Sequence, residues 1–512
     1  MSSSNPLPPS ICQAVLRRAD TSPVWLVGGA VRDAFLERST FDADFAVKGE
    51  ARRLARAVAN EFSGDYYDLD RERGSGRVLI ELGGSGRWVL DFTVVRGASI
   101  EDDLRLRDFT MNALALSLED PGRLIDPCGG LQDIRTKILR VCTDQAIDDD
   151  PIRALRAVRL ATDLGFRIAP ETLRLLAPAA ESLSKVSPER IRDELLHILA
   201  GKKPASAFRS LDRLGLLRVI LPEVTALHGV AQSPPHAYDA FEHSLAVFDN
   251  LARLLSVLGP KHDPEGASDM TLAEVSLRLG RYRTELDAHL MSSLTSGTLV
   301  RQLLLMSALF HDAGKALTQE IGDDDRIHFT GHEEQGAELV RARARDLRFG
   351  VQECERLDRI VRYHQWPGAL EKADHLTRRM IYRFFHKTGE AGIDIVLLSL
   401  ADRLGMYVPP VPQEVWERRV ELGRALLEAR FDGGWLEPPR LVRGDDLAAI
   451  LGVEPGPQLG LMLEVIREAQ AVGDVQTPEQ AVALARDMRD GTAWPMAGED
   501  DDPANANTAG DV

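Results

Sequence analysis

The sequence predicts an α+β protein, in which a head built of a sheet and helices is followed by a remainder that is almost wholly helical. Short apolar runs typical of strands alternate with helical stretches in the first part of the chain, at Val24–Val27, Asp44–Val47, Val78–Leu82 and Trp88–Val95. From Asp148 onward, apolar residues recur at spacings of three and four, the period of a helix that buries one face. At 512 residues and 44% hydrophobic content, the chain has room for about three or four domains with cores of their own.

Turn signals and changes of composition divide the chain into segments. The run S-P-P-H at 233–236 and the prolines between Pro409 and Pro412 mark two of the boundaries. The predicted segments are a disordered N-terminus (1–10), the head (11–147), a helical neck (148–230), a helical domain with several histidines (231–410), a C-terminal helical module (411–490) and a disordered acidic tail (491–512).

Two glycines and two aspartates near the start of the head form the first chemically informative pattern. The run at Val24–Val27 ends at Gly28 and Gly29, where a backbone can pass close to a bulky anion, and the start of the next helix has free N–H groups for phosphate. Asp42 and Asp44 lie two residues apart on a predicted strand, so both carboxylates point to one face.

A third carboxylate extends this pattern. Asp91 lies in the apolar run W-V-L-D-F-T-V-V, where an acid is costly unless it is paired or binds a metal. Because Mg²⁺ prefers oxygen ligands and shares them with substrate phosphates, Asp42, Asp44 and Asp91 predict a site for two-metal phosphoryl or nucleotidyl transfer. Taken singly, a G-G pair is more often a turn, a D-x-D pair a solvated acidic pair, and a strand Asp an edge residue facing water.

Five motifs in a fixed order give the head a family resemblance. They are G-G-A-V-R-D (28–33), the D-x-D pair, the strand-borne Asp91, R-D-F-T-M-N-A-L-A (107–115) and D-D-P-I-R-A-L-R-A-V-R (149–159). From about Val24 to Ala200 the chain resembles the bacterial tRNA nucleotidyltransferase and poly(A) polymerase family. The resemblance implies a polymerase-β-like nucleotidyltransferase head with a mixed sheet, all-α RNA-binding and C-terminal domains, and Mg²⁺ held by the three aspartates.

The same resemblance implies nucleotide-binding roles for individual residues. In the family, the G-G-x-V-R-D turn holds the triphosphate, R-D-F-T-x-N senses the ribose, and E-D-x-x-R reads the edge of the base. The matching positions are Gly28, Gly29, Arg32 and Asp33 for the first motif, Arg107, Asp108 and Asn112 for the second, and Asp150, Arg153, Arg156 and Arg159 for the third, with Asp149 in place of the Glu.

Asp150 and Arg153 are three residues apart, so on a helix they would share a face and present acceptor and donor groups as a base edge does. The alternative is a surface helix of ion pairs with a stripe of arginines. Between Arg153 and Lys203 the basic residues exceed the acidic ones by four, which makes this segment a candidate tRNA-facing surface.

Two departures from the family pattern bear on specificity. Leu106 stands where the family often has a second arginine before Arg107. The connection after Asp91 is short, with only Gly97–Ser99 between Arg96 and the I-E-D-D-L run. Members that add a whole C-C-A end commonly carry a longer flexible loop there, which helps switch the pocket from C to A. The short connection therefore predicts a CC-adding activity, with a separate enzyme adding the final A.

A second set of metal-binding residue types lies in the C-terminal half. An H-D pair ends an apolar run in L-F-H-D-A-G-K, and the ordered set resembles the HD-domain metal-dependent phosphohydrolases. The resemblance implies core ligands at His243, His311, Asp312 and Asp402, with His332 and His364 binding a second metal or a substrate phosphate. His and Asp together favour a divalent transition metal, which lowers the pKa of a bound water. The alternatives are ordinary helix histidines and a retained scaffold without catalysis.

Composition limits the classes of function. A net charge of −17 argues against a general nucleic-acid binder, although clustered basic residues still allow tRNA as a partner. Four scattered cysteines without a C-x-x-C pair indicate a reducing compartment. No signal peptide or long apolar run is present, so we expect a cytoplasmic protein that does not bind membranes.

The predicted function is template-independent transfer of C, A or both from CTP and ATP to the 3′ end of tRNA, with release of pyrophosphate. Two alternatives remain. A poly(A) polymerase on the same fold usually carries basic extensions, which this acidic chain lacks. A phosphohydrolase whose head only binds nucleotide would not need all of Asp42, Asp44 and Asp91.

Overall fold

The computed structural model describes residues 6–70, 74–83, 86–120, 123–260, 269–294, 297–323 and 325–491. The chain divides into two compact units, Met1–Val219 and Ile220–Val512. The predicted acidic tail lies outside the described residues from 492 onward, as do residues 1–5 of the predicted disordered N-terminus. Order begins earlier than predicted, because Leu7 is buried and a helix starts at Pro9. The six-segment division stays a prediction.

The first unit contains most of the strands. Its strands are β1 (Val24–Val27), β2 (Asp42–Val47), β3 (Asp65–Asp70), β4 (Ser75–Leu82), β5 (Gly86–Val94), β6 (Ala115–Ser117), β7 (Leu124–Ile125), β8 (Ile138–Leu139) and β9 (Arg167–Ile168). Its helices are α1 (Pro9–Ala19), α2 (Gly29–Phe35), α3 (Ala51–Phe62), α4 (Ile100–Arg105), α5 (Gly130–Thr136), α6 (Ala146–Asp149), α7 (Arg153–Leu164), α8 (Pro170–Leu176), α9 (Ala179–Leu183), α10 (Pro188–Leu199) and α11 (Pro204–Arg213), and α12 (Leu217–Ile220) follows at the division.

The head is a seven-stranded sheet in the order β3-β4-β5-β2-β1-β6-β7. β2 pairs with β5 in parallel, while the other neighbours in the sheet pair antiparallel, so the predicted mixed sheet is confirmed. All four predicted strands are present, and three of them begin two or three residues earlier than predicted.

Alternation along the central strands fixes which face is buried. Phe45 on β2 and Phe92 on β5 stack with their ring centroids 4.8 Å apart, and both are fully buried. Val58 of the amphipathic α3 is fully buried as well. Because strand side chains alternate between faces, burying Phe45 leaves Asp44 and Asp42 on the opposite, open face of the sheet.

The second unit is almost wholly helical. Its helices are α13 (Pro222–Thr225), α14 (Ala240–Val257), α15 (Met270–Leu279), α16 (Arg283–Leu290), α17 (Val300–Phe310), α18 (Lys315–Thr318), α19 (His332–Asp346), α20 (Val351–Tyr363), α21 (Trp366–Lys372), α22 (Arg378–Thr388), α23 (Ala391–Gly405), α24 (Gln413–Phe431), α25 (Gly444–Leu451), α26 (Pro457–Val472) and α27 (Pro478–Arg489). β10 (Glu320–Ile321) and β11 (Ile327–His328) form a small hairpin.

Helices α14, α17, α20 and α23 pack together as the core of this unit. α23 is buried on nearly all sides because its sequence, I-D-I-V-L-L-S-L, is apolar with almost no interruption. Helices α25–α27 enclose a small core of their own, formed by residues such as Leu447, Met462 and Ala485. Among the described residues, no helix has the length and apolar character needed to cross a membrane.

Candidate active site

The register of β2 and β5 brings the three predicted carboxylates together. Asp44 lies directly opposite Asp91 across the parallel pair, and Asp42 lies opposite Val89. Side chains that are directly opposite in a sheet share a face. The predicted triad of Asp42, Asp44 and Asp91 is therefore one cluster on the open face of the head sheet.

Crowding of these carboxylates changes their titration. Desolvation raises the pKa of Asp44 to about 6 and outweighs the attraction of Arg107. Repulsion from Asp91 and Asp42 acts in the same direction as the desolvation, and the residue still keeps contact with solvent. Desolvation and the Asp91 charge also raise the pKa of Asp42. Clustered oxygen ligands whose negative charges oppose one another fit a divalent cation such as Mg²⁺.

Arg77 is a member of this cluster that the sequence analysis missed. It lies on β4 opposite Asp91, and its guanidinium donates from Nε to Oδ1 and from Nη2 to Oδ2, both at 2.8 Å. The alternation of R-V-L-I-E-L was the only available signal, because it places Arg77 on the polar face of its strand.

The glycine turn passes close to the carboxylates. Gly28 has a φ of +73°, a conformation that L-residues rarely adopt. A Cβ at this position would come within 3.1 Å of both Asp44 Oδ2 and Arg107 Nη1. Gly28 is therefore needed for the backbone conformation and for the close approach of the turn to the cluster, and α2 begins at the next residue.

A chain of polar contacts links the first two nucleotide-binding motifs. Arg32 donates to both oxygens of Asp33 at 2.9 Å and to Asn112 Oδ1 at 2.8 Å. Asn112 Nδ2 donates to Asp108 Oδ1 at 3.1 Å, and Arg156 Nη1 donates to Asp108 Oδ2 at 3.1 Å. Burial alone raises the pKa of Asp108, but Arg156, Asn112 and a backbone N–H hold it below its usual value.

Arg107 is oriented by a buried acid that the sequence analysis did not single out. Asp103 on α4 accepts from Arg107 Nη2 at 3.2 Å and from Arg96 Nε at 2.8 Å. Burial raises the pKa of Asp103, and the two arginines together lower it below its usual value. Asp103 therefore aims the Arg107 guanidinium past Gly28 toward the carboxylate cluster.

The predicted pairing of Asp150 with Arg153 on one helix face is wrong. Asp150 is an extended residue between α6 and α7, and only Arg153 is helical. Asp150 Oδ2 instead accepts from Arg190 Nη2 at 2.7 Å, and Arg153 donates to the carbonyls of Ala146 and Leu106. The proline at 151 breaks the helix between them, because it cannot continue the hydrogen bonding of the preceding turn.

The remaining arginines of this motif are also committed to partners. Arg159 Nε lies 2.5 Å from Glu194 Oε1, and Arg156 Nε lies 3.5 Å from Glu194 Oε2. Glu194 on α10 is buried, so this ion pair fastens α7 to α10. Glu194 is one of the acidic residues already subtracted in that segment, so the predicted excess of four positive charges is unchanged.

In the second unit, all six predicted residues of the histidine set come together. They form two groups whose potential ligand atoms lie within 4.8 Å of one another, His243, His311 and Asp402 in the first, and Asp312, His332 and His364 in the second. Asp312 links the two groups, because its Oδ2 lies 3.2 Å from His311 Nε2 and its Oδ1 lies 3.5 Å from His332 Nε2.

The four imidazoles are fixed in one orientation by the backbone. Each Nδ1 lies within hydrogen-bond distance of a main-chain carbonyl, with His243 on Gly405, His311 on Ala308, His332 on Phe329 and His364 on Val361, at 3.2, 2.8, 2.7 and 2.6 Å. With the proton on Nδ1, every Nε2 keeps its lone pair for a metal. Ordinary core histidines would not all turn the same nitrogen toward one carboxylate, which here is that of Asp312.

Burial keeps two of these rings neutral. It lowers the pKa of His332 to about 3 and that of His364 to about 4. The Asp312 carboxyl is the reverse case, because the charges of His311 and Lys315 overcome its desolvation and hold its pKa well below the usual value. The neutral imidazoles of His332 and His364 beside an ionised carboxylate suit a divalent transition metal.

Three further residues flank this centre that the sequence analysis did not single out. Lys315 Nζ donates to Asp312 Oδ2 and to Gln232 Oε1, both at 2.7 Å. The His236 ring lies 5.1 Å from that of His243, and burial lowers the pKa of His236 to about 4. The motif H-D-A-G-K contained the signal for Lys315, which follows Asp312 by three residues, but Gln232 and His236 come from a loop.

Comparison with known proteins gives the family. Three family models match the chain, the poly A polymerase head domain at 24–140, the probable RNA and SrmB-binding site of polymerase A at 165–227, and the HD domain at 240–407. A CC-adding tRNA nucleotidyltransferase of Thermus thermophilus is 32% identical over 93% of this chain and 96% of its own length. The chain belongs to the tRNA nucleotidyltransferase family. The family also includes an A-adding tRNA nucleotidyltransferase of Deinococcus radiodurans, 33% identical over 90% of this chain and 94% of its own.

Solved structures of CCA-adding enzymes share the fold of this tRNA nucleotidyltransferase family member. A CCA-adding enzyme in complex with ATP has a TM-score of 0.59 at 19% identity, covering 95% of this chain and 97% of its own. The Thermotoga maritima CCA-adding enzyme in complex with tRNA has a TM-score of 0.55 at 21% identity, covering 94% and 96%. The polymerase-β-like head predicted by resemblance is confirmed, and the roles of individual residues stay predictions.

Proposed function

We propose that this tRNA nucleotidyltransferase adds two cytidines to the 3′ end of tRNA from CTP and stops before the final A. The observation that carries the restriction to C is the short, immobilised connection between β5 and α4. Two relatives agree with this proposal, since the Thermus thermophilus protein and one from Geobacter sulfurreducens, 31% identical over 93% of this chain, are both named CC-adding. The Deinococcus radiodurans protein, of similar identity, is named A-adding.

The connection is held at almost every residue. The N–H and Nε of Arg96 donate to Asp103 Oδ1 at 3.2 and 2.8 Å, and the N–H groups of Ala98 and Ser99 donate to Asp102 Oδ2, both at 3.2 Å. Ser99 Oγ in turn accepts from the Asp102 N–H, which closes a capping box at the start of α4. A connection fixed in this way has no spare length to act as the flexible loop that switches the pocket from C to A.

The reaction we infer is attack of the tRNA 3′ hydroxyl on the α-phosphate of CTP, with pyrophosphate as the leaving group. When bound, Mg²⁺ lowers the pKa of the hydroxyl and neutralises the triphosphate. Asp42, Asp44 and Asp91 would hold it. The protein's own part is to position the reactants: the Gly28 turn gives the triphosphate close access, and Arg107, aimed by Asp103, supplies positive charge beside it.

The test uses tRNA transcripts that end before the first C, after one C and after two, each incubated with Mg²⁺ and CTP or ATP. We expect two additions of C to the first transcript and no addition of A to the third. Products are resolved at single-nucleotide length. Efficient addition of AMP to the transcript that ends in C-C would overturn the restriction to C. A long ladder of products from ATP alone would assign the protein to the poly(A) polymerase alternative. A separate A-adding enzyme is needed only if two Cs and no A are added.

A second activity is favoured by one observation in the second unit, the four imidazoles that present Nε2 to the two sides of Asp312. We propose hydrolysis of phosphoesters at this centre. The bound transition metal would supply an activated water, and Lys315, which lies against Asp312 and Gln232, is placed to bind a phosphate oxygen.

Replacing Asp312 by asparagine removes the charge that both ligand groups share. We expect the purified variant to lose most of its bound transition metal, measured by elemental analysis, and to lose hydrolysis of bis-p-nitrophenyl phosphate. His375→Asn changes an exposed histidine outside the centre and is the matched control. Thermal unfolding of both variants checks the fold. Hydrolysis that persists in the Asp312 variant without metal would remove this activity from the centre.

A further inference from the structure

The bidentate ion pair between Arg77 and Asp91 has a place in the active site that no motif assigns to it. Both oxygens of Asp91 accept from the same guanidinium, in the planar fork geometry of a strong arginine–carboxylate pair. The Asp91 side chain is 18% exposed and that of Arg77 41%, so the pair lies at the edge of the open face.

The position of the Arg77–Asp91 pair in the sheet places it next to the other carboxylates of the cluster. Asp91 is flanked on one side by Arg77 of β4 and on the other by Asp44 of β2, in direct register with both. The guanidinium of Arg77 therefore brings a positive charge to the edge of the three-carboxylate cluster.

A metal ion and Arg77 must therefore share Asp91. A carboxylate offers about four lone-pair positions on two oxygens, so one oxygen can bind a cation while the other keeps its hydrogen bond. A cation bound to Asp91 and the guanidinium of Arg77 are both positive and repel each other, and this repulsion weakens metal binding. The guanidinium also fixes the orientation of the Asp91 carboxylate. Without this contact, the carboxylate would rotate freely.

We propose that Arg77 is a positioning residue that sets the metal affinity of the head: it neutralises and orients Asp91 in the metal-free enzyme and leaves a lone pair on one of its oxygens to the incoming cation. The proposal rests on the nucleotidyl-transfer function of the three carboxylates. A surface ion pair of purely structural value would have no influence on metal binding, so the two possibilities differ in a measurable way.

The experiment compares the full-length protein with Arg77→Gln, Arg77→Lys and Arg53→Gln. Arg53 is exposed on α3, and its replacement removes the same charge from the same unit at a position outside the site. Binding of Mn²⁺ without nucleotide or tRNA is followed by electron paramagnetic resonance, on a background in which Asp312→Asn has removed the centre in the second unit. Thermal unfolding is recorded with and without Mn²⁺. The rate of CMP transfer from CTP is measured as a function of Mg²⁺ concentration with saturating tRNA.

We expect Arg77→Gln to bind Mn²⁺ about tenfold more tightly, because a repelling charge is gone. Its metal-free form should unfold at a lower temperature, its stabilisation by Mn²⁺ should be larger, and its maximal rate of CTP addition should fall because Asp91 is no longer held. Arg77→Lys keeps the charge and loses the fork, so its Mn²⁺ affinity should stay near that of the parent while the maximal rate falls. Arg53→Gln should match the parent throughout.

Three results would overturn the proposal. Unchanged Mn²⁺ affinity in Arg77→Gln would reduce Arg77 to a structural ion pair. Unchanged affinity with a raised KM for CTP would make it a nucleotide contact. Failure of the parent itself to bind Mn²⁺ through Asp42 and Asp44 would remove the metal site and, with it, the proposed function. Because the Mn²⁺ titration needs neither nucleotide nor tRNA, an error in the restriction to C leaves it unaffected.

Discussion

Replacement of Asp44 by asparagine is expected to lower the rate of CTP addition by a factor on the order of 10³ or more. The change keeps the size of the side chain and removes the central charge of the carboxylate cluster, since Asp44 lies between the Gly28 turn and Asp91. Asparagine offers one neutral oxygen, which cannot replace a carboxylate as a Mg²⁺ ligand. Single-turnover transfer of CMP from labelled CTP to a tRNA lacking its C-C-A end measures the loss.

The same change should not weaken the metal-free fold. The folded pKa of Asp44 is raised from 3.8 to about 6, so ionisation is disfavoured in the folded state, and this residue makes the protein less stable as the pH rises from about 4 through 6. The asparagine variant lacks that loss. At pH 7.5 we expect it to unfold, without metal, at the same temperature as the parent or higher.

Asp65→Asn is the matched control, because Asp65 is an exposed aspartate at the start of β3. It should retain full activity. Near-normal addition by Asp44→Asn, in protein purified free of host nucleotidyltransferase, would contradict the assignment of the metal ligands. A variant that is inactive and also unfolds well below the parent would indicate a structural role instead.

The strands that carry Asp42, Asp44 and Asp91 could be predicted because each is an apolar run, and burial of a sheet requires such runs. The edge strand β3 could not, since D-Y-Y-D-L-D is only partly buried, departs from strict alternation at its adjacent tyrosines, and contains three aspartates, which are depleted in strands. The same limit applies to Arg77. Its contact with Asp91 depends on the register of β4 against β5, which the connecting turn and the burial pattern set together, so the alternation of β4 alone does not place the two side chains opposite each other.

For the histidine set of the second unit, the sequence predicted more of the arrangement. The resemblance to HD-domain phosphohydrolases named six residues that the structure brings together, and their role as metal ligands stays a prediction. The main-chain contacts that fix each Nδ1 were not predictable, since they depend on how helix ends such as that of α23 at Gly405 meet the rings. The prediction that Asp150 and Arg153 share a helix face is wrong for a local reason, which is the helix break at Pro151.

Removal of the Asp108 carboxylate is the second large effect that we expect, this time on stability. Asp108 is 9% exposed and accepts from the Phe109 N–H, from Asn112 and from Arg156. Asp108→Ala leaves these donors without their acceptor, and a buried pair that loses one partner costs about 3 kcal/mol. Asp108→Asn keeps the size and should cost less.

The pH dependence has a definite sign. The pKa of Asp108 is below its usual value of 3.8 in the folded protein, so its stabilisation is complete above pH 4 and is lost as the pH falls through the folded pKa. The difference between parent and Asp108→Ala should be constant from pH 5 to 8 and shrink in more acidic solution. Because a chain with two units does not unfold in one step, amide hydrogen exchange measures it better than a melting curve.

Peptides that cover 104–114 should lose protection in Asp108→Ala, while peptides from α14 and α23 of the second unit provide an internal control and should not change. Asp133→Ala removes another buried acid of the head, one that accepts from Thr110 and Arg140 instead. It should destabilise the same region without touching the chain of contacts from Arg32 to Arg156. A raised KM for CTP in Asp108→Ala but not in Asp133→Ala would therefore show that this chain positions the nucleotide, and an equal rise in both would reduce Asp108 to a stabilising residue.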